Sequence, residues 1–212
     1  MNAVYSEADY LAFDEAAEGR WEFMDGRIIP HGEPERANQL DPQFRAGTSV
    51  AHYKLQRMLN GLLFNRLRNG CEAYTGDART FMPVTKNYCY PDLVVVCGDS
   101  EYNDPNAKLP SLTNPVLIVE ILSASTEHYD RSGKLMRYLS IDSLQQYLMI
   151  DSRQMQAELY SRLPAGTWEY WAGRQPEQVI DLKSVGCQLT LAELYAGIVL
   201  EPLAAAPADA PA

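Results

Sequence analysis

Apolar residues recur at helical spacing in one long stretch and form several shorter runs elsewhere. The long stretch begins at Ser49 and ends at the Asn69-Gly70 pair, which predicts the longest helix of the chain. A shorter helix is predicted near residues 7–17, because Ser6 and Asp9 have the spacing of a helix-capping pair. The shorter apolar runs predict strands near residues 72–75, 78–84, 91–97, 116–122 and 145–151.

The order of these elements indicates an α/β fold with a mixed sheet. A helix is predicted at about residues 128–140, between the strands at 116–122 and 145–151. A helical crossover joins parallel strands, whereas the earlier strands follow one another closely enough to be antiparallel. The strands at 91–97 and 116–122 are apolar at both alternating positions, so helices should cover both faces of the sheet.

Hairpins are predicted on either side of this core. Residues 20–30 have the pattern of a hairpin that turns at Asp25-Gly26, and residues 157–163 with 168–171 form a second candidate. A short capped helix is expected from Thr190. These elements are predicted additions to the N-terminal and C-terminal ends of the sheet.

Two polar segments and the chain length set the expected domain organisation. Residues 31–47 predict a surface loop, either a tolerated insertion, which is favoured, or a functional or mobile segment. Residues 204–212 are a low-complexity tail that we expect to be disordered. With 212 residues, of which 46% are apolar, residues 1–203 are expected to form a single domain.

The N-terminus and the cysteines favour a reducing, cytoplasmic location. No basic segment precedes an apolar one at the N-terminus, and no run of about 18 apolar residues occurs. The four cysteines form no CxxC pair: Cys71, Cys89, Cys97 and Cys187. Three of them lie in or beside apolar strand-like runs, where a thiol behaves as a small hydrophobic side chain, and a reducing compartment with free thiols is expected. Neither membrane insertion nor structural zinc is indicated.

The net charge of −10 argues against nucleic acid, since phosphate binding is driven by Lys and Arg. The distribution weakens that objection, because residues 48–90 hold six bases against two acids. This segment could form a cationic face or an ordinary solvated helix surface, and the sequence leaves both open.

Two carboxylates occupy apolar segments, where burial of a charged group costs free energy. Glu120 lies within an apolar strand, and Asp92 begins a similar strand after Pro91. If the two strands are neighbours, the side chains lie within roughly 5 Å and can share one cation. Hard oxygen ligands suit Mg²⁺ or Mn²⁺ better than Zn²⁺. The structural alternatives are a turn-forming Asp92 and a core Glu120 paired with Lys or Arg.

A cation near such a metal would stabilise charge that develops on a phosphate. Lys134 is the best candidate, because it shares a face of the predicted crossover helix with Tyr138 and both could lean toward one end of the sheet. The alternative is an exposed, charged helix face.

Three segments together resemble the Uma-type family of bacterial endonucleases, in the PD-(D/E)XK, restriction-endonuclease-like superfamily. They are YPDLVVV, NPVLIVEILSAST and YDRSGKLMRYLSIDSLQQYLMID, and the likeness runs from about Tyr10 to Trp171. The resemblance implies a restriction-endonuclease-like sheet, a divalent metal and phosphodiester hydrolysis. It assigns Asp92 and Glu120 as the metal-binding acids. Leu122 stands where the superfamily lysine is expected, so the resemblance selects Lys134 from the following helix.

The resemblance also draws attention to three further positions. His52 falls on the long helix, where the superfamily often has an accessory acid, so it could assist catalysis or simply pack. Glu22 matches a Glu-x-x-Asp-Gly hairpin and could approach the metal, although a structural role is favoured. Asp77 is the weakest candidate.

These observations favour a metal-dependent endonuclease with Asp92, Glu120, Lys134 and His52 as catalytic residues, Mg²⁺ or Mn²⁺ as cofactor, and nucleic acid, with DNA first, as partner. A non-cleaving binding or regulatory protein is the main alternative, because a fold does not certify a function. A hydrolase of smaller phosphate esters is the third. Many superfamily members are homodimers, but no exposed stripe in the sequence indicates one.

Overall fold

The computed structural model of the chain describes residues 4–33, 36, 39, 49–68, 70–124 and 126–200. Within them lie four α-helices: α1 (Glu7–Ala16), α2 (Val50–Arg66), α3 (Leu135–Tyr138) and α4 (Leu191–Leu194). Ser6 caps α1 by accepting a hydrogen bond from the backbone of Asp9, whose side chain reciprocates, as the sequence predicted. Ser49 caps α2 in the same way through the backbone of His52.

The described residues also form twelve strands in three sheets. In chain order the strands are β1 (Trp21–Met24), β2 (Arg27–Pro30), β3 (Cys71–Thr75), β4 (Thr80–Met82), β5 (Asn87–Cys89), β6 (Leu93–Cys97), β7 (Leu117–Leu122), β8 (Gln146–Asp151), β9 (Ala157–Arg162), β10 (Trp168–Gly173), β11 (Val179–Leu182) and β12 (Cys187–Thr190). Strands β11 and β12 pair with each other, and this small hairpin was not predicted.

The central sheet has the order β10-β9-β8-β7-β6-β3. Strands β7 and β8 are parallel, with Leu117 opposite Gln146, and every other neighbouring pair is antiparallel. The predicted mixed sheet is therefore confirmed. The architecture is a mixed α/β fold consistent with a restriction-endonuclease-like sheet.

A second sheet, in the order β2-β1-β5-β4, joins the N-terminal hairpin to the middle of the chain. Phe23 of β1 pairs with Tyr88 of β5, so the hairpin is one half of a sheet. The strand predicted over residues 78–84 is present but shorter, because the extended backbone covers only Thr80–Met82. Lys86 then turns the chain with a φ of 53° before β5 begins. Strand β5 was missed because three residues carry too little periodicity.

The crossover between β7 and β8 differs from the predicted regular helix. A π-helical turn covers Tyr129–Lys134 and leads directly into α3. The turn packs tightly, since a Cβ added at Gly133 would lie 2.7 Å from the ring of Tyr129. Apolar spacing does not separate one turn of π-helix from α-helix, so the sequence could not show this feature.

Both faces of the central sheet are covered, as the strand composition predicted. All six residues of β7 are buried. On one face Val119 and Ile121 pack in a cluster with α2, α4 and the β11–β12 hairpin. On the other face Ile118 and Leu122 pack in a cluster that includes Tyr138 and residues of the second sheet. Glu120 therefore lies within a fully enclosed strand.

Two of the four cysteines differ from the expectation of free thiols. Cys71 and Cys97 stand opposite each other on the antiparallel strands β3 and β6 and form a disulfide. Cys89 and Cys187 are free and buried, as expected for small hydrophobic side chains. The sequence could not indicate the pair, because it depends on the register between two strands.

Several predictions fall outside the described residues, namely most of the loop at 31–47, the Asn69 part of the helix stop and the tail at 204–212. Among the described residues, no helix is long and apolar enough to cross a membrane.

Candidate metal centre

Asp92 and Glu120 come together where β6 and β7 pair. Leu93 lies opposite Val119, and continuing this antiparallel register by one residue places Asp92 opposite Glu120. The backbone N–H of Asp92 donates to Oε2 of Glu120 at 3.4 Å. Oδ2 of Asp92 accepts a hydrogen bond of 2.7 Å from the backbone N–H of Ile121. The two carboxyl groups are therefore fixed to each other's strands, both of them buried.

Lys134 reaches this pair from the π-helical turn. Its Nζ lies 3.2 Å from Oε1 of Glu120, 3.0 Å from Oε1 of Glu22 and 3.4 Å from Oδ1 of Asp130. The ammonium also lies 5.4 Å from the ring centroid of Tyr129. With only 3% of its surface exposed, Lys134 is not part of a solvated helix face.

Tyr138 approaches Glu120 from the same side as Lys134. Its hydroxyl donates to Oε1 of Glu120 at 2.9 Å, so one carboxylate oxygen receives both an ammonium and a phenol. The four-residue spacing of Lys134 and Tyr138 does place them on one face, as the sequence indicated. Arg131, on the same turn, points elsewhere and pairs with Glu127 and Glu158.

His52 contacts the site from the first turn of α2. Its Nε2 lies 3.2 Å from Oδ2 of Asp92, while its buried Nδ1 has no hydrogen-bond partner among the described residues. One turn further along α2, the amide of Gln56 donates to the backbone carbonyl of Asp92 at 2.9 Å. The start of α2 thus holds Asp92 through both its side chain and its backbone.

Two acids that were not among the selected site residues complete the cluster. Glu22, on β1, accepts from His31 at 3.1 Å and from the backbone N–H of Tyr90 at 3.3 Å, besides its contact with Lys134. Asp130 precedes Lys134 by one helical turn, and that spacing was the available signal for it. Asp77 is not part of the cluster, since it is exposed and pairs with Arg20 at 3.5 Å.

Burial and charge set opposite protonation tendencies within the cluster. Burial raises the pKa of Glu120 well above its usual range against the lowering effect of Lys134, and the charges of Asp130 and Asp92 add to the rise. Burial raises the pKa of Asp130 for the same reason. Three carboxyl groups surround one ammonium here, and this excess of negative charge favours the protonated forms of Glu120 and Asp130 up to a higher pH than usual.

At the other ionisable groups of the cluster, charged and hydrogen-bonding partners shift the pKa in the direction opposite to burial. Burial would raise the pKa of Glu22, but Lys134 and His31 lower it to about 2. The hydrogen bonds from His52 and the Ile121 backbone likewise lower the pKa of Asp92 against its burial. For Lys134, burial is outweighed by its three carboxylates, which raise the pKa of the ammonium well above its usual value. Lys134 is therefore a fixed cation.

The donor set fits Mg²⁺ or Mn²⁺ better than a structural metal. Mg²⁺ is commonly held by one or two carboxylates and keeps several waters. Asp92 and Glu120 supply two such oxygen donors in a cluster that has more acids than bases. Among the residues that the structure describes, no three His, Cys, Asp or Glu side chains form a metal cage. A closed zinc site is absent from that part of the chain.

Comparison with known proteins gives a consistent assignment over nearly the whole chain. The family model Uma2, described as "Putative restriction endonuclease", matches residues 7–192. The chain is similar to "Uncharacterized protein slr1290" of Synechocystis sp., at 31% identity over 196 residues that cover 91% of this chain and 92% of the relative. A second Synechocystis protein, "Uncharacterized protein sll1609", is 31% identical over 166 residues, with 78% of this chain and 85% of the relative covered.

Proposed function

Because the chain belongs to the Uma2 family, we propose that it is a metal-dependent endonuclease that hydrolyses phosphodiester bonds in nucleic acid, with DNA as the first substrate to test. The observation that supports this most directly is the pairing of Asp92 with Glu120 across two buried strands, with the ammonium of Lys134 at 3.2 Å from Glu120. Buried carboxylates are costly, so this concentration of them favours a cation-binding role.

In this proposal Asp92 and Glu120 hold Mg²⁺ or Mn²⁺. Such an ion, when bound, polarises a phosphate oxygen and makes a coordinated water more acidic. The protein's own contribution is to fix the two carboxylates on rigid strands, and the backbone N–H of Ile121 holds Asp92 in its orientation. The hydrogen bond from the backbone N–H of Asp92 to Oε2 of Glu120 also joins the two strands.

Lys134 would act as an electrostatic catalyst. Its raised pKa keeps the ammonium charged, so it stabilises negative charge on the phosphate and does not accept a proton. Glu22 and Asp130 hold this ammonium from two further directions and act as positioning residues. His52 positions Asp92 through Nε2.

A non-cleaving binding protein is the second candidate. One observation favours it: the ammonium of Lys134 already has three carboxylate partners, so the cluster can be stable without a metal. In that case Lys134 would hold the two sheets together and the acids would be its counter-ions.

The test compares supercoiled plasmid and single-stranded DNA as substrates, with Mg²⁺ or Mn²⁺ and with a chelator. The parent protein, Glu120→Gln, Asp92→Asn and the surface control Glu169→Gln are purified identically, and circular dichroism checks their folding. We expect cleavage by the parent and by Glu169→Gln only. The isosteric amides keep the packing but remove the ligand charge.

Cleavage that Glu120→Gln and Asp92→Asn retain would contradict the assigned site, and a contaminating nuclease would then be the explanation to exclude. If no folded protein cleaves either DNA, Mn²⁺ titration separates the two candidates. Mn²⁺ binding that Asp92→Asn abolishes keeps the metal-dependent proposal, whereas no binding favours the non-cleaving protein.

A further inference from the structure

The outward-facing side of α2 differs from the rest of this acidic protein. Between Ser49 and Gly70 the sequence has four bases and no acid, although the net charge of the chain is −10. Except for Asn65, the exposed residues of this helix recur at intervals of three and four, and we call them the outer face of α2: Val50, Tyr53, Arg57, Gly61 and Phe64. Half of the surface of Tyr53 is exposed, and 85% of that of Phe64.

The bases of α2 differ in how far they are already paired. Arg66 pairs with Glu193 at 2.5 Å, and the guanidinium of Arg68 donates to backbone carbonyls of its own segment. Arg57 and Lys54 have no acidic partner within 4.0 Å among the residues that the structure describes. Among the described residues, two bases without an acidic partner therefore lie on the helix between Tyr53 and Phe64, whose rings are exposed.

The charge of this face determines which occupant fits it. A second copy related by a twofold axis through this face would bring the two α2 helices together, and neither helix has an acid to compensate its bases. A nucleic-acid strand supplies phosphates for Arg57 and Lys54, and its unpaired bases offer flat surfaces for Tyr53 and Phe64. Gly61 leaves open space between Arg57 and Phe64, since nothing lies within 4 Å of a Cβ built there.

The outer face and the residues that contact Asp92 lie on different sides of α2. Successive residues of an α-helix point roughly 100° apart, so His52 and Gln56, which contact Asp92, lie on the side that packs against the sheet. At 1.5 Å per residue, Tyr53 and Phe64 are roughly 16 Å apart along the axis. That length corresponds to roughly five stacked nucleotides at 3.4 Å each.

We propose that the outer face of α2 binds a single strand of nucleic acid, with Tyr53 and Phe64 stacked on unpaired bases and Arg57 and Lys54 on phosphates. This inference rests on the proposed function and narrows its substrate class to single-stranded or locally unpaired nucleic acid. A duplex would present no free base faces to the two aromatic residues.

The test measures binding separately from cleavage. Fluorescence anisotropy follows a labelled oligo-dT of about 12 nucleotides, within the range of known single-strand sites, in a chelator that prevents metal-dependent cleavage. We expect Tyr53→Ala and Phe64→Ala each to weaken binding on the order of 10-fold. Arg57→Ala should lower the slope of log K against log salt by about 0.7.

The controls are Met136→Ala and Lys183→Ala, which remove an exposed apolar and an exposed basic side chain elsewhere and should leave binding unchanged.

Three results would overturn the inference. The first is equal binding of a duplex of the same length, and the second is unchanged binding by the aromatic variants. The third is a dimer in sedimentation analysis that Phe64→Ala converts to a monomer, since the face would then be an interface between copies. If the parent protein cleaves plasmid but Tyr53→Ala and Phe64→Ala bind and cleave like it, this inference fails while the proposed function stands. If the protein binds single-stranded DNA as expected but neither cleaves DNA nor binds metal, the proposed endonuclease function fails while the binding inference stands.

Discussion

The ammonium of Lys134 lies 3.2 Å from Oε1 of Glu120, although one residue belongs to a π-helical turn and the other to the middle of a buried strand. The position two residues after Glu120 is occupied by Leu122, which is buried and apolar. The crossover thus brings a positive charge to the acid from the next element of the chain. Glu22 and Asp130 also contact this ammonium.

Replacing Lys134 with Met should strongly destabilise the protein. Three buried acids would lose their shared cation, and removal of one member of a buried ion pair costs about 3–5 kcal/mol. Urea denaturation at neutral pH measures the change in the free energy of unfolding. Lys183→Met, at an exposed lysine whose Nζ lies 3.9 Å from Asp181, is the control. Equal stability of the two variants would show that the cluster tolerates an uncompensated charge.

Tyr138→Phe should cost about 1 kcal/mol, because it removes the hydroxyl that donates to Glu120 and leaves the shape of the core unchanged. Tyr160→Phe is a matched control, since no hydrogen bond of its hydroxyl is found among the described residues. Thermal and urea denaturation of both variants give the comparison. A loss in Tyr160→Phe as large as in Tyr138→Phe would remove the hydrogen bond as the cause.

Glu22 should make the stability of the protein depend on acid pH. Its pKa is lowered from 4.5 to about 2 by Lys134 and His31 against the effect of burial. The stabilisation is therefore fully present above pH 4.5 and is lost as the pH falls toward 2, with a magnitude on the order of 3 kcal/mol.

The measurement is the gap in unfolding free energy between the parent and Glu22→Gln from pH 7 down to the lowest pH at which both fold. We expect the difference in unfolding free energy to decrease below pH 4.5. In that range Glu22 becomes protonated in the unfolded chain but stays ionised in the native protein. Glu169→Gln, at an exposed position, should show no gap at any pH. A constant gap for Glu22→Gln would mean that lost packing accounts for the effect.

Metal binding should release protons and strengthen as the pH rises. Burial raises the pKa of Glu120, so the metal-free site holds a proton there up to a higher pH than an ordinary carboxyl does, and a cation that binds must displace it. Mn²⁺ titration calorimetry in two buffers of different ionisation enthalpy counts the released protons. The affinity of the parent should increase with pH, and Asp92→Asn should bind weakly throughout. An affinity independent of pH would contradict a protonated Glu120 in the free site.

The disulfide should be detectable by mass spectrometry. Alkylation of the denatured, unreduced protein should label Cys89 and Cys187 only, and reduction should expose Cys71 and Cys97 as well. The bridge spans 26 residues, so its reduction should cost about 3.5 kcal/mol by the loop-entropy relation. Four labelled cysteines without reduction would show that β3 and β6 pair without a covalent bond.

Local signals in the sequence predicted most of the individual elements. The capping pair Ser6 and Asp9 located α1, and Thr190 with Glu193 located α4, because a cap involves residues only three positions apart. The Asp25-Gly26 turn was predicted for a similar reason, and both residues adopt the positive φ that such a hairpin needs. The short β5 strand and the π-helical turn were missed, since neither has a distinct periodicity.

The sequence by itself determined the order of the longer strands and helices and showed that Asp92, just before β6, and Glu120, within β7, stand where a buried carboxylate is costly. Only the tertiary structure decided which groups lie close enough to compensate these buried carboxylates. Glu22 enters from a second sheet, and Cys71 meets Cys97 through the register of two strands. Such contacts join residues far apart in the chain, and they depend on how sheets pack and align, which the spacing of apolar residues along one segment does not encode.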